Sequence, residues 1–168
     1  NFANVRPFDS PLSLPNKEQA LAIEAICHVV EGHRRRPLVI TADRGRGKSS
    51  ALGIAAAQLV LKRKEPILLT APSKAACQTA ILHFTQCVEA QIPKHDDALI
   101  YLGLLQFIAP DELLASRPNC QLLLVDEAAA IPTAMLTELL THYSRIVFST
   151  TIHGYEGNGQ GFALRFKK

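Results

Sequence analysis

Short apolar runs alternate with longer stretches of helical spacing along nearly the whole chain. Apolar runs at 38–41, 67–70, 104–108, 121–125 and 145–150 read as strands. The first helix opens at Asn16, whose side chain suits an N-cap, with Gln19 at the capping-box position three residues on. Leu21, Ala22, Ala25, Ile26, Val29 and Val30 recur at helical spacing and predict its buried face, and Gly32 stops it. Further helices are expected at 50–61, at 74–90, around 111–115, and from Pro132 to His142. The stretch 91–103 receives no element. Strands alternating with helices imply a mainly parallel sheet covered on both faces, a three-layer α/β fold. No internal repeat or low-complexity segment interrupts the pattern.

Composition narrows this modestly. A chain of 168 residues, 48% hydrophobic and 20% charged, is the size and make-up of one globular domain. Residues 1–15 carry three prolines and read as an entry segment, leaving 16–168 as the domain. Both ends look cut, so an excised piece of a longer protein is expected. A net charge of +3 permits nucleic-acid contact without demanding it. Cys27, Cys77, Cys87 and Cys120 are widely spaced, with no Cys-x-x-Cys pair, which argues against zinc and fits a reducing cytoplasm. No signal peptide or long apolar span is evident, so no membrane partner is expected.

The chemistry concentrates at Thr41-Ala42-Asp43-Arg44-Gly45-Arg46-Gly47-Lys48-Ser49, between a predicted strand and a predicted helix. Successive backbone N–H groups in such a turn can surround a phosphate, and the helix start adds its positive dipole end. Ala42 replaces the first glycine of the common pattern; Gly45 and Gly47 stand where backbone must approach phosphate closely. Ala42, Asp43, Arg44, Gly45, Arg46, Gly47, Lys48, Ser49 and Ser50 are the candidate nucleotide-binding residues. Lys48 can reach the outer phosphates, and the Ser49 hydroxyl can ligate magnesium.

A second constellation ends the 121–125 run, where Asp126-Glu127-Ala128-Ala129 delivers two adjacent carboxylates. Ligands of open parallel sheets bind at that strand edge. Asp126 is the candidate metal ligand beside Ser49; Glu127 is the candidate catalytic base for water, with Lys48 as its catalytic partner. Gln19 has two readings, the local capping box and adenine recognition through its carboxamide, and the sequence leaves both open.

Together these residues resemble the first RecA-like lobe of superfamily one and two helicases, a P-loop NTPase fold. Leu14 to Gln19 resembles the upstream glutamine motif, Ala42 to Ser49 motif I, Thr70-Ala71-Pro72-Ser73 motif Ia, Asp126 to Ala129 motif II, and Phe148-Ser149-Thr150-Thr151 motif III. Thr41 to Ser49, Ser149 to Gly157 and Asp126 to Pro132 are more closely similar to the helicase-like module of the tRNA(Met) cytidine acetyltransferases. That resemblance implies ATP or GTP with magnesium, elongator tRNA(Met) as partner, and further domains of the same polypeptide. It also implies N(4)-acetylation of the wobble cytidine from acetyl-CoA, at a site outside this chain. No acetyl-CoA pyrophosphate loop is found; the run Gly157-Asn158-Gly159-Gln160-Gly161 lacks the leading Arg or Gln.

Other positions carry weaker readings. Arg34, Arg35, Arg36 and Lys74 are candidate phosphate contacts, though a basic run is more often a solvated connection. His153 and Tyr155 could stack on a base or pack against a neighbouring lobe. His28, His33, His83, His95 and His142 share no metal spacing and read as surface or helix residues. The competing functions are an unwinding helicase and a nucleotide-gated binding module that does not hydrolyse. In such ATPases a second lobe normally supplies an arginine to the γ-phosphate, and this chain lacks one. The isolated chain should therefore bind nucleotide weakly and turn it over slowly; robust RNA-stimulated hydrolysis by these residues alone would contradict the reading.

Overall fold

In the computed structural model the described residues are 16–33, 36–42 and 46–151, with the side chains of Ala42 and Arg46 excepted. They form α1 (Lys17–Glu31), β1 (Leu38–Ala42), α2 (Arg46–Lys62), β2 (Ile67–Thr70), α3 (Gln78–Gln91), α4 (His95–Leu102), β3 (Leu105–Phe107), α5 (Pro110–Ser116), β4 (Leu122–Val125), α6 (Thr133–His142) and β5 (Ile146–Thr151). Short 3-10 turns occupy Lys74–Cys77 and Ala128–Ala130.

All five described strands are parallel, in the order β1-β5-β4-β2-β3. The chain runs outward from β1 to β2 and β3 with α2, α3 and α4 on one face. It then returns through β4 to β5 with α5 and α6 on the other. Right-handed crossovers require this change of face when the direction of travel reverses. Alternate strand residues feed the two layers. Ile67, Leu69, Leu122, Leu124 and Val147 join the α1–α4 core, while Leu68, Leu123, Val125, Ile146 and Phe148 join the α5–α6 core.

Helix α2 lies between α1, α3 and the sheet. Its apolar residues do not form a stripe, because Ala51, Leu52, Ala55, Ala56, Ala57, Leu59 and Val60 are all buried. It also begins earlier than residue 50, so Gly47, Lys48 and Ser49 are its first turn rather than a loop before it. The α1 face is rotated from the expected one: Gln19, Ile23, Ile26, Val29 and Val30 are buried, and Leu21 is 58% exposed. The predicted helix at 74–90 is two pieces. Ser73 Oγ accepts from Ala76 N in a tight 3-10 turn before α3 begins. Helix α4 was not expected, since Ala98 to Leu102 is an unbroken apolar run without helical period. His83 is a helix residue, buried on α3 with neither ring nitrogen hydrogen-bonded; the other four histidines in the described residues are exposed.

The α2–α3 contact is close because Gly53 has no side chain. A Cβ there would strike the Ala80 carbonyl oxygen and lie 2.9 Å from the Phe84 amide nitrogen. Glycine to alanine in a helix ordinarily stabilises by roughly 0.5–1 kcal/mol. Here backbone atoms cannot yield, so Gly53→Ala should instead destabilise by about 2 kcal/mol. Thermal unfolding should show a drop of roughly 4–8 °C for a domain of this size.

Candidate active site

Parallel pairing brings the carboxyl ends of β1, β5, β4 and β2 to one edge, with Ala42 opposite Thr151 and Thr70 opposite Val125. The first turn of α2 meets the end of β4 there. Ser49 Oγ donates to Asp126 Oδ2 at 3.0 Å, a buried bond between residues 77 apart in sequence. Lys48 Nζ donates to Thr151 Oγ1 at 3.1 Å and lies 3.8 Å from Glu127 Oε2. Thr151 Oγ1 in turn donates to Glu127 Oε2 at 3.3 Å. The lysine, the hydroxyl and both acids therefore share one pocket edge.

The loop after β4 is held from both sides. Asp126 N donates to Thr70 O at 2.8 Å, and Ala129 N donates to Thr150 Oγ1 at 3.2 Å. Glu127 N donates back to Asp126 Oδ1 at 2.9 Å. Glu127 adopts a left-handed conformation, φ 48 and ψ 48, which a side chain other than glycine's disfavours. Such strain persists where surrounding bonds enforce it, and the Glu127 side chain is 36% exposed here whereas Asp126 is buried.

Asp126 is fully buried. Desolvation pushes its carboxyl above the ordinary aspartate range, opposed by the Ser49 hydrogen bond, the Lys48 charge and the Glu127 amide. Desolvation also pushes the thiols of buried Cys77 and partly buried Cys120 up to about 11, so both stay protonated near neutral pH.

Comparison with known proteins decides the family. Residues 39–168 match the family described as RNA cytidine acetyltransferase NAT10/TcmA, helicase domain. The chain belongs to that family. It is 51% identical over 150 residues to the tRNA(Met) cytidine acetyltransferase TmcA of Vibrio cholerae serotype O1, covering 89% of this chain and 21% of the relative. It is 49% identical over 153 residues to the TmcA of Nitrosococcus halophilus, covering 90% of this chain and 20% of the relative. The chain thus spans about a fifth of the length of these curated relatives. The crystal structure of the UvsW helicase from bacteriophage T4 superposes with a TM-score of 0.59 at 13% identity, over 98% of this chain and 63% of that one. The fold of this NAT10/TcmA helicase domain is therefore RecA-like. No described helix is long and apolar enough to cross a membrane.

Of the sequence-predicted site residues, the helicase domain brings Lys48, Ser49, Asp126 and Glu127 together. Ser50, next along α2, is fully buried. Ala42 closes β1 and Arg46 opens α2, while Asp43, Arg44 and Gly45 lie outside the described residues, as do Arg34, Arg35, His153 and Tyr155. Gln19 is in its capping box: Asn16 N donates to Gln19 Oε1 at 3.1 Å, and Gln19 N donates to Asn16 Oδ1 at 2.8 Å. Its Nε2 nonetheless borders Gly47, 3.7 Å from where a Cβ would stand, so the capped side chain sits beside the phosphate-loop helix. Lys74 and Arg36 are exposed and outside this cluster.

Thr150 and Thr151 stand out in the sequence only through the resemblance of Phe148 to Thr151 to motif III, with no individual role, although Thr151 bridges Lys48 to Glu127 and Thr150 anchors the acidic loop. The available signal was polar: Ser149-Thr150-Thr151 ends an otherwise apolar strand. Ser49 Oγ and Asp126 Oδ2 are two hard oxygens of the kind a magnesium ion takes. Among the described residues no three His, Cys, Asp or Glu side chains cluster as a metal cage. Thr70 Oγ1 and Ser149 Oγ, on the strands flanking β4, are buried and lack hydrogen-bond partners, so polar capacity around Asp126 is unused.

The buried Asp126 charge has a stability signature. Its raised carboxyl pKa means that the folded chain binds more protons than the unfolded chain just above the ordinary aspartate range. Stability therefore falls as pH rises through that interval, and the cost persists at neutral pH. In metal-free buffer at pH 7–8, Asp126→Asn should stabilise the chain by about 1 kcal/mol, or roughly 2–4 °C. The gain should shrink as pH is lowered through the raised pKa. Thermal melts of both proteins across pH 4–8 check this (a range chosen to bracket the ~3.9 of free aspartate).

Proposed function

We propose that this chain is the nucleotide-hydrolysing module of an RNA acetyltransferase. It would bind ATP or GTP with magnesium between the first turn of α2 and the ends of β4 and β5. The reading rests chiefly on the buried Ser49–Asp126 bond, which joins a candidate phosphate-loop hydroxyl to a candidate metal carboxylate. Lys48 leaves Thr151 and Glu127 for the outer phosphate oxygens, which are stronger acceptors for an ammonium. Its departure frees the Glu127 carboxylate to hold and deprotonate the attacking water at the mouth of the pocket. Thr151 keeps a hydrogen bond to Glu127 and so holds that carboxylate in direction. Ser49 and Asp126 supply the protein ligands for magnesium, which neutralises charge on the phosphate oxygens when bound.

In the whole protein, of which this chain matches a fifth of the relatives' length, hydrolysis would reposition the RNA. The relatives' name, tRNA(Met) cytidine acetyltransferase, supports tRNA(Met) as that RNA and a cytidine as the acetylated base. We take these to be elongator tRNA(Met) and its wobble cytidine, acetylated at N(4) from acetyl-CoA in another domain. A cytoplasmic location suits such a reaction. Positioning and charge stabilisation do most of the work in phosphoryl transfer to water, and the residues gathered here serve those two ends.

Two variants of the full-length enzyme separate the roles. Lys48→Ala should lower nucleotide affinity roughly 10–100-fold, the worth of a charge-assisted hydrogen bond of about 1.5–3 kcal/mol. Glu127→Gln should leave affinity nearly unchanged and slow hydrolysis by roughly 100-fold or more. Calorimetric binding and a phosphate-release assay read the two effects. Undiminished hydrolysis in either variant would overturn the assignment.

A further inference from the structure

The opposite edge of the sheet carries a second pocket. It forms between the connection entering β4 and the connection entering β5, and encloses about 270 Å³. Arg117 and Asn119 line one wall, and His142, Tyr143 and Arg145 line the other; no acidic residue lines it. The four residues of β4 separate it from Asp126, about 13 Å at ~3.3 Å per residue. It is therefore independent of the nucleotide site.

Its walls are built. Tyr143 Oη donates to Pro118 O at 2.8 Å and ties the two connections together. Arg117 is held in a left-handed conformation, φ 47, as the cap of α5, and its Nε donates to Leu114 O at 3.0 Å. That leaves the terminal guanidinium nitrogens for a ligand. Arg145 is half-buried, and its Nε is shut off from solvent with no hydrogen-bond partner. Neither arginine forms an ion pair among the described residues. A half-buried guanidinium without a counter-charge is unfavourable, and an anion in the pocket would supply that charge.

We propose that this pocket binds one phosphate group between the Arg117 and Arg145 guanidinium forks. The two arginines come from the two connections that form the pocket. A tetrahedral phosphate offers acceptors in several directions, whereas a carboxylate offers its lone pairs in one plane. Asn119 supplies a neutral donor beside them. The phosphate comes either from solution, as inorganic phosphate, or from the backbone of an RNA strand.

Arginine side-chain NMR tests this on the 168-residue chain. The Arg145 and Arg117 Nε–Hε resonances are followed during titration with inorganic phosphate, with chloride at equal ionic strength as control. Saturable shifts with phosphate and none with chloride are expected. Arg145→Gln should abolish saturation. Arg117→Asn, at an exposed position where asparagine tolerates the left-handed backbone, should weaken it by roughly tenfold with the amide spectrum otherwise intact. A short RNA that moves the same resonances, and that phosphate displaces, identifies the RNA backbone as the source. A response to inorganic phosphate alone identifies the free ion. Shifts that do not saturate, that chloride reproduces, or that survive Arg117→Asn unchanged would overturn the proposal.

Discussion

The hydrogen bond from Ser49 Oγ to Asp126 Oδ2 joins two segments that have no local reason to meet. It exists because parallel strands end at one edge, and because α2 starts at that edge directly after β1. Its neighbours depend on the same alignment. Were β4 displaced by one residue against β2 and β5, Asp126 and Glu127 would exchange faces, and the buried acid would become the exposed one. The Asp126 N–H bond to Thr70 O and the Ala129 N–H bond to Thr150 Oγ1 hold that register on both flanks.

The same site carries two features that a purely structural edge would avoid. Asp126 is buried with its charged form disfavoured by desolvation, and Glu127 sits in a left-handed conformation. Both are unfavourable for folding in isolation. Both acquire a use if a cation and phosphate oxygens occupy the cleft: the buried acid gains a positive ligand, and the partly exposed acid meets the water. The Lys48–Thr151–Glu127 chain gives the pocket an internal arrangement that charged phosphate can displace.

The close packing of α2 makes this arrangement rigid. Its small residues let α1, α3 and the sheet approach together, with Gly53 against the backbone of α3 as the tightest point. A helix packed between α1, α3 and the sheet cannot shift without disturbing both helical neighbours and the strands beneath. Lys48 and Ser49, on its first turn, inherit that rigidity. The pocket between the β4 and β5 entrances sits at the far end of the same two strands, so both proposed ligand sites are anchored to one frame.

Much of this was legible in the residues alone. Strands β2 and β4, the cap and stop of α1, the glycine-bearing turn and the acidic strand end are each local patterns with local causes. What the residues could not reveal was relational. The α1 face turned to bury Ile23 and expose Leu21, because contact with α2 chooses among several apolar rows. Helix α4 had no period to announce it, and His83 is enclosed by its neighbours rather than by its own character. Thr151 became a bridge only when β5 settled beside β1, and Arg117 met Arg145 only across two connections distant in sequence. Periodicity and caps are set by interactions within a few residues, so sequence determines them. Which faces meet, and which charges are stripped of water, follow from packing the whole chain at once, and only the tertiary structure could decide them.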